Sequence, residues 1–339
     1  MAKTKKFKVI SLFSGCGGMD LGFLGGFEVF GQKYRNLPFE IVYATDKSKQ
    51  ATKAYNFNLP QQAITTDITH LDVKSLPEAD LVIGGFPYKA TSPDGNSTYL
   101  KMKKVIEYVK PKMFVAENVD GIRNTKKTED TSALETIVKE LSKSGYDVEY
   151  KILKAVEYGI PQTRVRVIII GRRKNLKGKI VFPVQTHGEK QTSKLSPYRT
   201  TQDAIGDLEN MLDSEEAPTN HTTKDYSKVK FLLGKTHQGN EKEKADKPAH
   251  TVRAEAHGHQ YAHYNSIDID KDNSNPETWR RLTVRECARL QSFPDNYSFP
   301  LSQTEAHRQI GNAVPPVLAW HIAKYVTRTL KDIDFNLLT

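Results

Sequence analysis

The chain has 339 residues, 37% hydrophobic and 27% charged, with a mean hydropathy of −0.58; this excludes wholesale disorder, and no apolar stretch nears the roughly 18 residues needed to span a bilayer. The N-terminal Met1-Ala2-Lys3-Thr4-Lys5-Lys6 lacks the apolar core of a secretory signal, and two cysteines exclude a disulfide scaffold or a Cys-rich zinc module, so a reducing cytoplasm is expected. Fifty Lys and Arg against 40 Asp and Glu give a net charge of +10, which favours polyanionic partners through counterion release but fits a merely basic surface equally well.

In chain order, Phe7 to Leu12 reads as a first strand and runs into Phe13-Ser14-Gly15-Cys16-Gly17-Gly18. A second strand, Glu40 to Thr45, ends at Asp46, and a third, Leu81-Val82-Ile83, ends in Gly84-Gly85-Phe86-Pro87. Tyr99 to Lys110 has helical spacing and stops at Pro111, which cannot continue a helix. The strand Met113 to Ala116 ends in Glu117-Asn118. Ser132 to Glu135 has the pattern of a capping box, and the helix it opens stops at Gly145. Tyr146 to Ile152 alternates with period two, and Val165 to Ile170 forms another strand, interrupted by Arg166. Strands alternating with helices predict an α/β chain with a mostly parallel sheet. From about Lys174 to Pro276 periodicity fades and the composition turns polar, which predicts a smaller irregular domain. Regular structure resumes at Leu282 to Leu290 and in a helix from Val314 to Leu330.

A glycine-rich turn between a first strand and a helix is where an α/β sheet binds nucleotide-like ligands. Gly15, Gly17 and Gly18 would let the backbone approach such a ligand, and Asp46 is placed to accept from ribose hydroxyls. A tight structural turn is the competing reading. The dinucleotide fingerprint fails at its third glycine, which is Asp20, so S-adenosylmethionine fits at least as well as NAD. Asp67-Ile68 reads either as a third contact, with the carboxylate accepting from an adenine amine, or as an ordinary loop.

Six segments then fall in order: Phe13 to Gly18, Gly84 to Pro87, Glu117-Asn118-Val119, Gln162-Thr163-Arg164-Val165-Arg166, Arg281 to Asp295, and Gln309 to Pro316. Together they resemble the DNA (cytosine-5)-methyltransferases, from near residue 7 to near residue 330. The resemblance implies a Rossmann-like S-adenosylmethionine-dependent methyltransferase fold, with a mixed, mostly parallel sheet and a smaller irregular target-recognition domain. It divides the chain into a catalytic and cofactor-binding domain (1–185), a target-recognition domain (186–280) and a return segment (281–339) whose last helix packs on the catalytic domain. The implied partners are double-stranded DNA and a cognate restriction endonuclease, in a monomeric, nucleoid-associated protein of the restriction-modification type. The implied reaction moves a methyl group to C5 of a flipped cytosine and leaves S-adenosylhomocysteine.

Cytosine C5 is a poor nucleophile, so family members attack C6 with a cysteine thiolate that follows the Gly-Phe-Pro turn. Glu117 matches the glutamate that hydrogen-bonds N3 and the exocyclic amine. Arg164 and Arg166 are expected to point to one face and hold the base and the Gln162-containing loop. The resemblance places Phe13 and Asn312 beside the cofactor, and Gln162, Thr251 and Arg253 on the DNA. His257, His259 and His263 are expected on a DNA-facing or exposed surface, with no metal site.

The pattern breaks at Tyr88, which stands where that cysteine is expected, with Lys89 in place of the usual Gln. A phenol has a pKa near about 10 against about 8.5 for a thiol, its oxyanion is less polarisable, and the ring would compete with the base for space. Cys16 and Cys287 both read as small buried packing residues, so C5 transfer is expected to fail. The loop from Lys89 to Thr98 is also shorter than in long bacterial members of the family. Two alternatives remain open. One is a non-catalytic protein that binds cofactor and DNA or serves as a partner subunit; the other is transfer to an exocyclic amine with Tyr88 stacked on the base.

Overall fold

The computed structural model describes residues 5–87, 98–125, 131–226, 243–254 and 280–338. Tyr88, Lys89 and His257, His259 and His263 lie outside them. The strands are β1 (Phe7–Leu12), β2 (Phe27–Val29), β3 (Gln32–Tyr34), β4 (Phe39–Asp46), β5 (Ala63–Thr65), β6 (Leu81–Gly85), β7 (Met113–Val119), β8 (Tyr146–Lys154), β9 (Val165–Arg173), β10 (His187–Gly188) and β11 (Ser196–Pro197). The helices are α1 (Gly18–Leu24), α2 (Lys49–Asn58), α3 (Thr98–Val109), α4 (Ala133–Ser142), α5 (Thr201–Ile205), α6 (Val284–Leu290), α7 (Gln303–Asn312) and α8 (Pro316–Leu338). None of them is long and apolar enough to cross a membrane.

Seven strands form one sheet in the order β5-β4-β1-β6-β7-β9-β8, in which only β9 runs against its neighbours. The apolar runs read from the sequence are its central strands, and they are apolar throughout because both faces are covered. Successive side chains go to opposite layers. Val9, Ile83, Val115 and Ile168 join the cluster that includes Phe23 of α1 and Val317 of α8. Ile10, Val82, Phe114 and Ile169 join the cluster with Met102 of α3 and Leu134 of α4. Each fully buried aliphatic of this kind contributes about 1.5–3 kcal/mol. The Ser132–Glu135 capping box forms as read and opens α4.

From β1 the chain moves outward to β4 and β5, then returns past β1 to lay down β6 and β7. The reversal opens a crevice at the carboxyl ends of β1 and β6, where ligands of open α/β sheets bind. The irregular stretch after β9 contributes Ala204, Leu208, Ala249 and Val252 to the α1 and α8 cluster. The β2–β3 hairpin, α2 and α7 have no counterpart in the sequence reading.

Candidate functional site

β1 enters α1 through three backbone positions of positive φ: Phe13 (54°), Gly15 (56°) and Gly17 (88°). The glycines differ in what they permit. A Cβ on Gly15 would meet nothing nearer than its own turn, at 4.0 Å. A Cβ on Gly17 would lie 2.6 Å from Leu59 Cδ1, and one on Gly18 would run into the carbonyl oxygen of Val314. Gly15 therefore leaves open space, whereas Gly17 and Gly18 let α1 pack against its neighbours, and both Gly15 and Gly18 line the crevice. The Gly15 amide donates to Asp46 Oδ2 at 3.0 Å, and the Ser48 amide to Oδ1 at 2.8 Å. Asp46 thus ties the end of β4 to the loop, and burial pushes its carboxyl above the usual range. Asp67 Oδ1 accepts from the amide and hydroxyl of Thr69, both at 2.8 Å, which caps a 3₁₀ turn and holds the carboxyl low. Ile68, in that turn, is buried.

A narrow cleft at the crevice encloses about 50 Å³ and is lined by Phe13, Ser14, Gly15, Gly85, Glu117 and Asn312, among others. Asp46, Asp67 and Ile68 lie outside this enclosed part. The Ser14 hydroxyl is buried without a hydrogen-bond partner among the described residues. Asp20, at the cleft wall, is fully buried and accepts from Ser11 Oγ and Tyr55 Oη, both at 3.0 Å. Burial pushes its carboxyl up to about 6. The sequence marked Asp20 only as the residue that breaks a glycine pattern.

Glu117 and Gly85 face each other in the β6–β7 register. A Cβ at Gly85 would lie 3.0 Å from Glu117 Oε2, so the glycine makes room for the carboxylate. Arg166 Nε lies 2.8 Å from Glu117 Oε1, and about a tenth of each side chain is exposed (11% and 10%). Burial pulls the Arg166 guanidinium down, and the Glu117 charge pushes it back up. Asn118 Nδ2 donates to the Phe86 carbonyl at 2.9 Å, which anchors the Gly-Phe-Pro turn beside this pair. Neither thiol of the chain lines the cleft. The Cys16 thiol donates to the Gln309 carbonyl, and burial pushes it up to about 12. Cys287 is buried and pushed up further.

Two expected site residues do other work. Arg164 is 1% exposed and donates to the carbonyls of Val252 (3.2 Å), Gly311 (3.1 Å) and Ala313 (2.8 Å). Its Nη1 and Nη2 clamp these segments together, while its Nε is buried without a partner among the described residues. Gln162 is fully buried. Its Nε2 donates to Leu290 O and Gln291 Oε1, and its Oε1 accepts from the Val252 amide. Both of its donor hydrogens are engaged within the chain. Gln291, which the sequence reading missed, completes this seam by donating to Ile310 O (2.8 Å) and Ala313 O (3.0 Å). Thr251 and Arg253 are half-buried on either side of buried Val252. A Cβ on Gly311 would run into the Arg253 backbone, so this glycine lets the two segments touch. Among the described residues no cluster of three His, Cys, Asp or Glu side chains is placed to hold a metal.

Residues 7–328 match the family of C-5 cytosine-specific DNA methylases. The chain is 34% identical over 364 residues to the Type II methyltransferase M.BsuRI of Bacillus subtilis, covering 95% of the chain and 79% of that relative. It is 33% identical over 348 residues to M.FnuDI of Fusobacterium nucleatum, covering 96% and 95%. The Dnmt2 methyltransferase structure from S. pombe aligns with a TM-score of 0.68 at 22% identity, over 98% of the chain and 100% of its own. A prophage-encoded DNA modification methyltransferase structure from E. coli aligns with 0.62 at 23%, over 96% and 100%. At those identities the two structures speak for the fold alone.

Proposed function

The chain belongs to the C-5 cytosine-specific DNA methylase family, and from that premise we propose that it is a restriction-modification-type member that binds S-adenosylmethionine and duplex DNA yet transfers no methyl group to C5. The Type II names of its relatives support this class of function, with a cognate restriction endonuclease as partner. We assign residues 186–280 to target recognition and take the chain to act as a monomer in the cytoplasm.

S-adenosylmethionine, when bound, supplies an electrophilic methyl group. The loop fits such a guest: Gly15 leaves open space and the buried Ser14 hydroxyl lacks a partner. Phe13, Gly15 and Asn312 would hold the cofactor, Gly17 and Gly18 would keep the loop's shape, and Asp46, Asp67 and Ile68 would meet its ribose and adenine. Asp46 accepts one backbone bond at each oxygen, and each oxygen keeps a lone pair for a hydroxyl. Glu117 would take N3 and the amine of the flipped cytosine, while Arg166 fixes the carboxylate through Oε1 and leaves Oε2 toward Gly85. Thr251 and Arg253 would contact DNA.

One observation carries the proposed inactivity. Glu117 lines the cleft, paired with Arg166, while both thiols of the chain are buried elsewhere and held protonated. Tyr88 is left as the residue after the Gly-Phe-Pro turn, and a phenol is a poor replacement for a thiolate. The test is transfer of labelled methyl from S-adenosylmethionine to mixed-sequence duplex DNA by the chain and by Tyr88→Cys, with the product analysed. The expected result is no product from the unaltered chain, C5 product from the variant, and equal cofactor binding by both. A methyl group on nitrogen would replace this reading with amine transfer. A variant that binds cofactor and DNA yet stays inert would move the defect elsewhere, to the short loop after Tyr88.

A further inference from the structure

A second cavity, of about 380 Å³, shares no residue with the cleft. It lies among the 3₁₀ turn Ala155–Tyr158, β10 and β11, the start of α5 and the first part of α8. Its volume falls in the range of small-ligand sites, about 300–1,000 Å³.

Several polar groups of this cavity are already engaged, Tyr158 Oη donating to the Pro183 carbonyl and His187 Nδ1 meeting Thr186 Oγ1 at 2.9 Å, but two are not. His321 is 7% exposed, packed against Tyr158 and Trp320 with ring centroids 5.3 and 5.2 Å away, and makes no hydrogen bond among the described residues. Arg199 lies over the Phe30 ring at 5.2 Å, and its Nε is buried without a partner. No carboxylate of the described residues comes within ion-pair distance of that guanidinium. The positive charge of Arg199 is nevertheless felt nearby: with burial, it pulls the His187 imidazole below its ordinary range. Tyr198 and Ser196 add hydroxyls to the wall. Asp203, the one carboxylate in the lining, already accepts from the Thr200 amide at 2.8 Å as the cap of α5. Glu157 and Glu189 lie near Tyr198, outside the lining.

An arginine with no ion pair among the described residues, sharing a cavity with a nine-tenths-buried imidazole that makes no hydrogen bond among them, is an arrangement that an anion completes, because charge-assisted bonds are the stronger ones. We propose that this cavity binds a phosphate group, with Arg199 as the charged anchor and His321, His187 and Tyr198 as the surrounding hydrogen-bonding groups. A phosphate offers acceptors in several directions to such a ring. Two sources share this chemistry, the backbone of duplex DNA and a small free phosphate compound. The assignment does not depend on the methyl-transfer reading.

The experiment uses the full chain and Arg199→Gln, with Arg199→Lys as a charge-keeping control. Calorimetry with inorganic pyrophosphate and titration with a mixed-sequence duplex at several salt concentrations separate the sources. If a free compound is bound, pyrophosphate affinity falls about tenfold or more in Arg199→Gln and is partly kept in Arg199→Lys. If the DNA backbone is bound, pyrophosphate gives no signal, while Arg199→Gln weakens duplex binding and lowers the salt slope by about one. Unchanged melting of the ligand-free variant and unchanged S-adenosylmethionine binding show that the fold and the cleft are intact. Pyrophosphate and duplex affinities that are both indifferent to Arg199 would overturn the assignment.

Discussion

At the mouth of the cleft, Arg166 meets Glu117 at 2.8 Å with about a tenth of each side chain open. Two residues earlier in sequence, just before the same strand, Arg164 donates to three backbone carbonyls contributed by residues 252, 311 and 313. The two arginines belong to one sequence motif, yet one pairs with a carboxylate that lines the cleft and the other holds residues 252, 311 and 313 by their carbonyls. The contrast teaches that a motif residue's role depends on which groups its polar atoms meet. Gln162 and Gln291 belong with Arg164 in the spent seam, and Ser14 belongs with Glu117 on the unspent side.

The largest expected effect lies in the cleft. In a Tyr88→Cys background, Glu117→Gln is expected to lower the single-turnover rate about 10²–10⁴-fold while leaving the melting temperature nearly unchanged; a variant that unfolds but keeps its rate would break the comparison. Next comes the seam. Arg164→Met strands the buried carbonyls of Val252 and Gly311, Ala313 O keeping Gln291, and is expected to cost about 2–5 kcal/mol in urea unfolding, with activity per folded molecule retained in the same background.

Asp20 lies between the two regions. Its carboxyl is pushed from 3.8 up to about 6 in the folded chain, so the native state binds the proton more tightly than the unfolded state does. That contribution to stability is complete below about pH 4 and is lost as pH rises through 6. The stability of the unaltered chain minus that of Asp20→Asn should therefore fall by up to about 3 kcal/mol between pH 4 and pH 7. A difference that stays flat across this range would show that Asp20 does not titrate as its burial demands.

The smallest effect is at Asp67. Asp67→Ala is expected to cost about 1 kcal/mol as a lost cap and to weaken S-adenosylmethionine about tenfold as a lost adenine contact. Full cofactor affinity in that variant would leave Asp67 as a cap alone.

Most of the sheet was legible because its strands are buried on both faces and read as apolar runs, such as Met113 to Ala116 and Val167 to Ile170. The α4 capping box and the stop at Pro111 were legible because both act within a few residues. Helix α7 was not, because much of its buried face is polar: His307 and Gln309 are buried beside Ala306 and Ile310. In the site, Glu117 was marked by the family resemblance and Asp46 by its place after the second strand. The different jobs of Arg164 and Arg166 were not, since the carbonyls that engage Arg164 come from 88 to 149 residues away. Asp20 was misjudged for the same reason, its partner Tyr55 lying 35 residues on.

The most direct test of the central claim is nucleoside mass spectrometry of mixed-sequence duplex DNA incubated with S-adenosylmethionine and the purified, unaltered chain. The account predicts no 5-methylcytosine above the protein-free control while cofactor binding saturates. Formation of 5-methylcytosine by this chain would contradict it, because a phenol or a deeply buried thiol would then be serving as the nucleophile.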